Sequence, residues 1–370
     1  MRNTVAQEHR FRHALSILSS AINARAFPAC SLAVTDRGEH VADKALGRFT
    51  YDLSSTEVTT PSIFDLASLT KVVATTAMAM ILYERGVLDL DAPITAIVPE
   101  FTSAEARRGL VTLRMLLAHS SGLPAYEKIF LRAQTREDFL CHAFAAELAA
   151  PPGTRAQYSD IGFIILGIAL ERLADESLDT FCQREVFGPL AMTHTTFNPA
   201  RALRESIPPT ADDRTFRHRV IQGEVQDENA SVLGGVAGHA GLFSTADDLA
   251  LFAHAMLNDG YPILRPETVT LFTRRESAPE GTSRALGWDT PSAPSQSGKY
   301  FGSRSFGHLG YTGTSLWIDP DRQLSIALLT NRTWPDCQNQ SIKQVRPAFH
   351  DAVVQALSAN ESFPSAESEQ

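Results

Sequence analysis

Ser68 and Lys71 stand three residues apart in the stretch Phe64-Asp65-Leu66-Ala67-Ser68-Leu69-Thr70-Lys71-Val72-Val73-Ala74-Thr75-Thr76. Positions i and i+3 share a helix face, so a helix beginning here aims both side chains the same way. The chemistry on offer is acyl transfer. A serine hydroxyl is a weak nucleophile that needs a neighbouring base, and lysine serves as that base once its pKa falls. Desolvation and the positive end of a helix both lower a lysine, so the sequence predicts a depressed Lys71. The backbone N–H of Ser68 is a candidate oxyanion donor. Further on, Gln157-Tyr158-Ser159-Asp160 makes a polar corner ahead of an apolar run, where a phenol and a carboxylate two residues apart can both face a cleft.

The elements that must position these groups follow from periodicity. Val72, Val73, Ala77, Met78, Met80, Ile81 and Leu82 predict a buried helix running from Ser68 to Gly86. Before it, residues 8–26 read as an amphipathic helix, and Asp36-Arg37-Gly38 as the turn between strands over 31–35 and 41–49. The next 130 residues or so read as helical and loopy without a convincing strand. Short helices are expected over 111–119 and 136–149, and a buried one from Ile161. Residues 200–232 turn polar and arginine-rich, as in a long surface excursion. Gly234-Gly235-Val236-Ala237-Gly238-His239-Ala240-Gly241 lacks the lysine of a phosphate loop and the spacing of a dinucleotide motif. Ser244-Thr245-Ala246-Asp247 caps a helix, strands follow over 314–318 and 324–330, and a last helix spans 342–357.

Composition narrows the function classes. With 44% hydrophobic and 20% charged residues among 370, the chain reads as globular rather than fibrous or disordered. A net charge of -9 argues against nucleic acid and anionic membranes as partners. The N-terminus lacks the apolar core of a secretory signal, and the longest apolar run, 161–170, is too short to span a bilayer. Cytoplasmic is therefore the expected location; a leader cleaved away would make it periplasmic. Cys30, Cys141, Cys182 and Cys337 are scattered, so neither a zinc site nor a disulfide framework is expected. His9 and His13 lie four apart but have no third ligand nearby, so no metal and no organic cofactor is expected.

Taken singly, Tyr158 reads as a packing tyrosine, Asp160 as the cap of the helix from Ile161, and His308 as a strand residue with a satisfied ring. Their order around Ser68 makes them site candidates. The sequence resembles the serine β-lactamase and penicillin-binding-protein superfamily, closest to its class C β-lactamase and esterase-like branch. Ser68-Leu69-Thr70-Lys71 matches the Ser-x-x-Lys motif, Tyr158-Ser159-Asp160 the Tyr-x-Asn motif, and His308-Leu309-Gly310 the Lys-Thr-Gly motif in its His-x-Gly form. The stretches 116–124, 234–249 and 306–319 also resemble this branch, so the likeness covers nearly the whole chain.

The resemblance implies an α+β, β-lactamase-like fold: an antiparallel sheet flanked by N- and C-terminal helices, with an inserted helical domain and the active site in the groove between. On this reading residues 8–66 and about 235–357 form the α/β part, 67–234 the mainly helical part, and 358–370 a disordered tail. Ser68 is then the acylated nucleophile, Lys71 and Tyr158 share acid/base work, and the N–H groups of Ser68 and Tyr311 form the oxyanion hole. His308 lines the opposite wall beside Gly310, hydrogen-bonding towards Tyr158 or substrate. Asp160 borders the substrate too, but it replaces an amide that would donate a hydrogen bond, and an ionised carboxylate there raises Lys71 and shifts base duty to Tyr158. His308 replaces a permanent cation with a group mostly neutral at pH 7. Both changes disfavour efficient β-lactam hydrolysis. Trp288, Asn331 and Arg332 are candidates for the groove border, Arg332 as a carboxylate anchor.

The expected activity is hydrolysis of a small ester or amide through an acyl-enzyme, carboxylesterase-like. The alternatives are a D,D-peptidase, penicillin-binding protein or β-lactamase, an acyltransferase, and a sensor that acylates without turnover. Intact Ser68, Lys71 and Tyr158 speak against an inert scaffold.

Overall fold

Strand β1 (Ala29–Asp36) obeys the two-residue period of a strand. Cys30, Leu32 and Val34 enter one apolar core, whereas Ala29 and Ala33 enter another. The computed structural model describes residues 9–102 and 105–358, and in it β1 is paired antiparallel on both sides. Its neighbours are β2 (Glu39–Gly47), across the expected turn, and a strand from the far end of the chain, Leu324–Thr330.

Helix α1 (Arg12–Asn23) buries Ala14, Leu18 and Ala21 against the first core. Next come β3 (Phe64–Asp65), a 3-10 turn at Ala67–Leu69, a π-helical stretch at Lys71–Thr76, and α2 (Ala77–Glu84). One regular helix from Ser68 was expected; the backbone instead changes from 3-10 to π to α. The wide π turn lets the hydroxyl of Thr75 donate to the carbonyl of Gly238 at 2.7 Å while Lys71 donates to that of His239 at 3.0 Å. The middle of the chain supplies α3 (Leu113–Leu117), α4 (Arg136–Ala145), α5 (Asp160–Ala174) and α6 (Leu178–Cys182).

The stretch read as a surface excursion carries structure of its own. After β4 (Thr196–Phe197), the hairpin β5 (Ala211–Asp213) and β6 (Arg219–Ile221) is pinned by Arg217, whose Nε donates to Asp213 Oδ2 at 2.9 Å. Helix α7 (Glu228–Val232) then precedes β7 (Leu242–Ser244), and α8 (Ala246–Leu257) is capped by Thr245, whose hydroxyl accepts from the N–H of Asp248. Helix α9 (Pro266–Thr273), strands β8 (Phe306–Leu309), β9 (Ser315–Asp319) and β10 (Leu324–Thr330), and helix α10 (Ile342–Ser358) complete the described chain. The polar tail expected over 358–370 lies, beyond Ser358, outside the described residues.

The main sheet has the order β2-β1-β10-β9-β8. Ile326 and Leu328 join Phe11, Leu18, Phe349 and Val353 beneath α1 and α10; Ala327 and Leu329 join Leu249, Phe252 and the interior helices on the other face. Because both faces are covered, β1, β9 and β10 are almost entirely apolar or small, which is why their sequences show runs rather than alternation. A second sheet, β3-β7-β4, sits directly ahead of Ser68.

Candidate active site

Ser68 is held by what surrounds its neighbour. Ala67 has φ +47, a left-handed conformation that costs a residue with a Cβ roughly 1–2 kcal/mol. Asp65 offsets this: its Oδ1 accepts from the N–H of Ala67 at 2.8 Å, and its Oδ2 from that of Gln226 at 2.7 Å. Burial pushes the Asp65 carboxyl up to about 6 even so. Two hydroxyls from the far hairpin fix the same strand, Thr312 donating to the carbonyl of Asp65 at 2.8 Å and Thr314 to that of Leu66 at 2.9 Å. Gly310 permits this approach, since a Cβ there would overlap the carbonyl oxygen of Leu66 and the hydroxyl of Thr314. Gly310→Ala is therefore expected to destabilise the protein by about 1–3 kcal/mol, read as a lower urea midpoint, and to reduce kcat by displacing the turn that carries Ser68.

Four of the candidates meet around one ammonium. Lys71 is fully buried, and its Nζ donates to Ser68 Oγ at 3.0 Å, Asp160 Oδ1 at 2.7 Å and the carbonyl of His239 at 3.0 Å. Three protons thus meet three acceptors. The phenol of Tyr158 donates to Ser68 Oγ at 2.8 Å from the other side.

The electrostatics correct the expectation of a depressed lysine. Burial alone would lower Lys71, but the Asp160 carboxylate, with Tyr158 adding to it, holds the ammonium above its ordinary range. Burial raises the Tyr158 phenol by more than the neighbouring Lys71 charge lowers it, and the Asp160 carboxylate adds to the rise. At neutral pH the resting site therefore contains a charged Lys71 and a protonated Tyr158. Base duty does not simply pass to the tyrosine, because the carboxylate that raises one group raises the other.

Asp160 was also a candidate cap for α5. The cap is Ser159, whose Oγ accepts from the N–H of Gly162 at 2.9 Å and donates to the carbonyl of Pro124 at 2.6 Å. That arrangement leaves the Asp160 carboxylate free for Lys71.

His308, on edge strand β8, lies with its ring 5.9 Å from that of Tyr158. The two do not hydrogen-bond: Nδ1 of His308 donates to the carbonyl of Leu309 at 2.8 Å, which consumes its proton and leaves Nε2 as a buried acceptor without a protein partner. Burial, then the charges of Lys71 and Arg284, hold the ring well below the usual histidine range, so it is neutral. Arg332 lines the cleft with its guanidinium already engaged, Nε by the carbonyl of Tyr311 and Nη1 by those of Cys337 and Asn339. Trp288 and Asn331 do not border the groove. Trp288 is fully buried against Phe252 and Phe306, and Asn331 ties the carbonyls of Phe49 and Pro209 together.

Ser68, Tyr158, Asp160, His308, Gly310, Tyr311 and Arg332 line one open cleft of about 850 Å³, with Lys71 beneath it. Motif reasoning passed over two histidines, His119 buried behind Tyr158 and His239 on the cleft wall. His119 packs its ring 4.6 Å from that of Tyr158 and accepts the N–H of Ser159 at Nδ1. His239 pairs with Asp227 at 2.8 Å, which keeps the Asp227 carboxyl low despite burial. His119 closes the helix expected over 111–119 and His239 falls in the glycine-rich stretch; both stretches resemble the family branch, but no motif marks either ring. The glycines of 234–241 serve packing, since a Cβ at Gly238 would strike the carbonyl of Phe163 on α5. No group of three or more His, Cys, Asp or Glu residues among the described residues could hold a metal, and no helix there is long and apolar enough to cross a membrane.

A family model described as Beta-lactamase matches residues 10–344. The chain belongs to the β-lactamase family. It is 33% identical over 348 residues to an N-acetylmuramyl-L-alanine amidase of Bacillus subtilis (strain 168), a match covering 84% of this chain and 78% of that one. It is 32% identical over 343 residues to a protein of Escherichia coli (strain K12) provisionally named D-alanyl-D-alanine carboxypeptidase, covering 83% and 79%. Among solved structures, EstCE1, a hydrolase with promiscuous acyltransferase activity, superposes with a TM-score of 0.76 at 21% identity over 95% of this chain and all of the other. This member of the β-lactamase family has the family's α+β fold and is a serine hydrolase.

Proposed function

We propose that Ser68 is acylated by a small amide or ester in this cleft and that water then releases the acyl group. The observation that carries the reading is the position of Ser68 Oγ, within hydrogen-bond reach of both Lys71 Nζ and Tyr158 Oη at the floor of an open cleft. Attack requires one of these two donors to give up a proton first and become an acceptor for the serine proton. A deprotonated Lys71 has two N–H groups for Asp160 and the carbonyl of His239, so its lone pair can face only Ser68. Tyr158 returns a proton to the leaving group. The backbone N–H groups of Ser68 and Tyr311 receive the oxyanion.

The Bacillus subtilis and Escherichia coli relatives carry names that describe amide bonds at alanine, and this favours an alanine amide over a simple carboxylic ester as the physiological bond. The experiment is to incubate the protein separately with p-nitrophenyl acetate, N-acetylmuramyl-L-alanine, an acyl-D-alanyl-D-alanine peptide and a fluorescent penicillin, following product and intact mass. Steady release of alanine supports the amide reading. Steady nitrophenolate without alanine returns the carboxylesterase-like reading. A stoichiometric penicillin adduct that never clears identifies a binding module instead.

A further inference from the structure

We infer that Arg284 is the anion anchor of this cleft, holding a carboxylate on the substrate beside the scissile bond in place of the cation that His308 cannot supply. The inference rests on the cleft of the preceding section being the substrate site. Its ground is a guanidinium that, among the described residues, makes no hydrogen bond and only a 3.7 Å ion pair with Asp289. Arg284 lines the cleft half-buried, with Cζ 5.5 Å from the ring centroid of Tyr158. Burial first, with the Arg284 charge adding to it, keeps the rings of both His308 and His119 neutral. Among the described residues its nearest acid is Asp289, 3.7 Å from Nη1 and beyond hydrogen-bond reach, and Asp289 Oδ1 already accepts from the hydroxyl of Ser283 and the N–H of Thr290.

The other cations in the cleft are otherwise employed. Arg332 donates to backbone carbonyls, as does the buried Arg346, which reaches those of Gly313 and Thr314 as well as Gln296. Lys128 and Lys343 stand exposed in solvent. Arg284 is also rigidly mounted. Its N–H donates to the hydroxyl of Thr282, its carbonyl accepts from the N–H of Glu276, and Asp289 beside it pairs with Gly307, one residue from His308. A five-donor fork fixed on the wall beside the nucleophile fits a planar carboxylate. Of the other acids in the cleft, Asp160 is paired with Lys71 and Asp227 with His239, which leaves Glu228 and Asp289 as the carboxylates a substrate anion must face.

The test uses binding, so that it is independent of turnover. In the full-length Ser68→Ala protein, affinities for N-acetyl-alanyl-alanine, in both enantiomeric series, are compared with those for its C-terminal amide by ligand-observed NMR titration. The carboxylate is expected to bind about tenfold or more tightly than the amide in one series. That ratio should collapse towards one in Ser68→Ala/Arg284→Gln and survive in part in Ser68→Ala/Arg284→Lys. A ratio that persists in the glutamine variant, or is absent from Ser68→Ala, overturns the assignment, as does an equal loss of affinity for both ligands. Failure of the hydrolase reading would show separately, as the absence of any Ser68 adduct or product with wild-type protein.

Discussion

Ser68→Ala lowers kcat on a p-nitrophenyl ester by a factor on the order of 10⁵ to 10⁶, the scale on which removal of a nucleophile from a coupled acyl-transfer site is felt. The fold is expected to survive. The side chain that disappears is a single hydroxyl on a turn held by Asp65, Thr312 and Thr314, and its loss leaves Lys71 and Tyr158 each one acceptor short, so the melting temperature is expected to fall by only a few degrees. Intact-mass spectrometry checks the same point chemically: the wild-type protein gains the acyl mass and the variant does not. A variant that retains more than roughly one hundredth of the wild-type rate would remove Ser68 from the mechanism.

Asp160→Asn changes the pH profile rather than erasing it. Lys71 and Tyr158 both sit above their ordinary ranges in the free protein, so the population in which one of them can accept the serine proton grows as pH rises. kcat/KM is accordingly expected to climb from neutral into alkaline solution. Removing the carboxylate deletes the charge that holds Lys71 up and one of the influences raising Tyr158, so the climb shifts to lower pH. At pH 7 the variant then stands closer to its own plateau, by about tenfold for each unit the limb moves. The plateau itself falls, because Lys71 exchanges its charge-assisted hydrogen bond to the carboxylate for a weaker one to an amide oxygen. A full kcat/KM profile of both proteins decides the matter. A limb that stays in place while KM alone rises would mean that Asp160 only contacts substrate.

Much of this site is readable in sequence because its chemistry is local. Ser68 and Lys71 share a turn, and Tyr158 and Asp160 share a corner, so residue types and short spacings suffice to gather them. The charge state of Lys71 is different. Burial and helix position both argue downward, and the sequence points upward only through the resemblance that sets Asp160, 89 residues away, beside the lysine. Arg284 is invisible for the same reason: nothing in Thr282-Ser283-Arg284-Ala285 marks it until the pairing of Asp289 with Gly307 sets it on the cleft wall. His119, at the end of the helix expected over 111–119, and His239, in the glycine-rich stretch, belong to no motif that would mark their rings. In the fold, the strands at both ends and the buried helix after Ile161 are legible from their periodicity, whereas the 3-10 to π transition at Ser68 arises from contacts with the 238–239 loop, which no local propensity encodes.

The placement of β1 between β2 and β10 has a consequence for how the enzyme comes into being. Thr35 and Ser325, whose hydroxyls meet at 2.6 Å across that pair, are 290 residues apart in the chain. On the ribosome, the hairpin β1–β2 must wait with one long apolar edge bare until almost all of the protein has been made. The hydroxyls of Thr312 and Thr314, which secure the turn of Ser68, arrive in the same late segment. Nascent chains are thus sticky before they are active, and the appearance of ester turnover during synthesis would time the closing of the sheet.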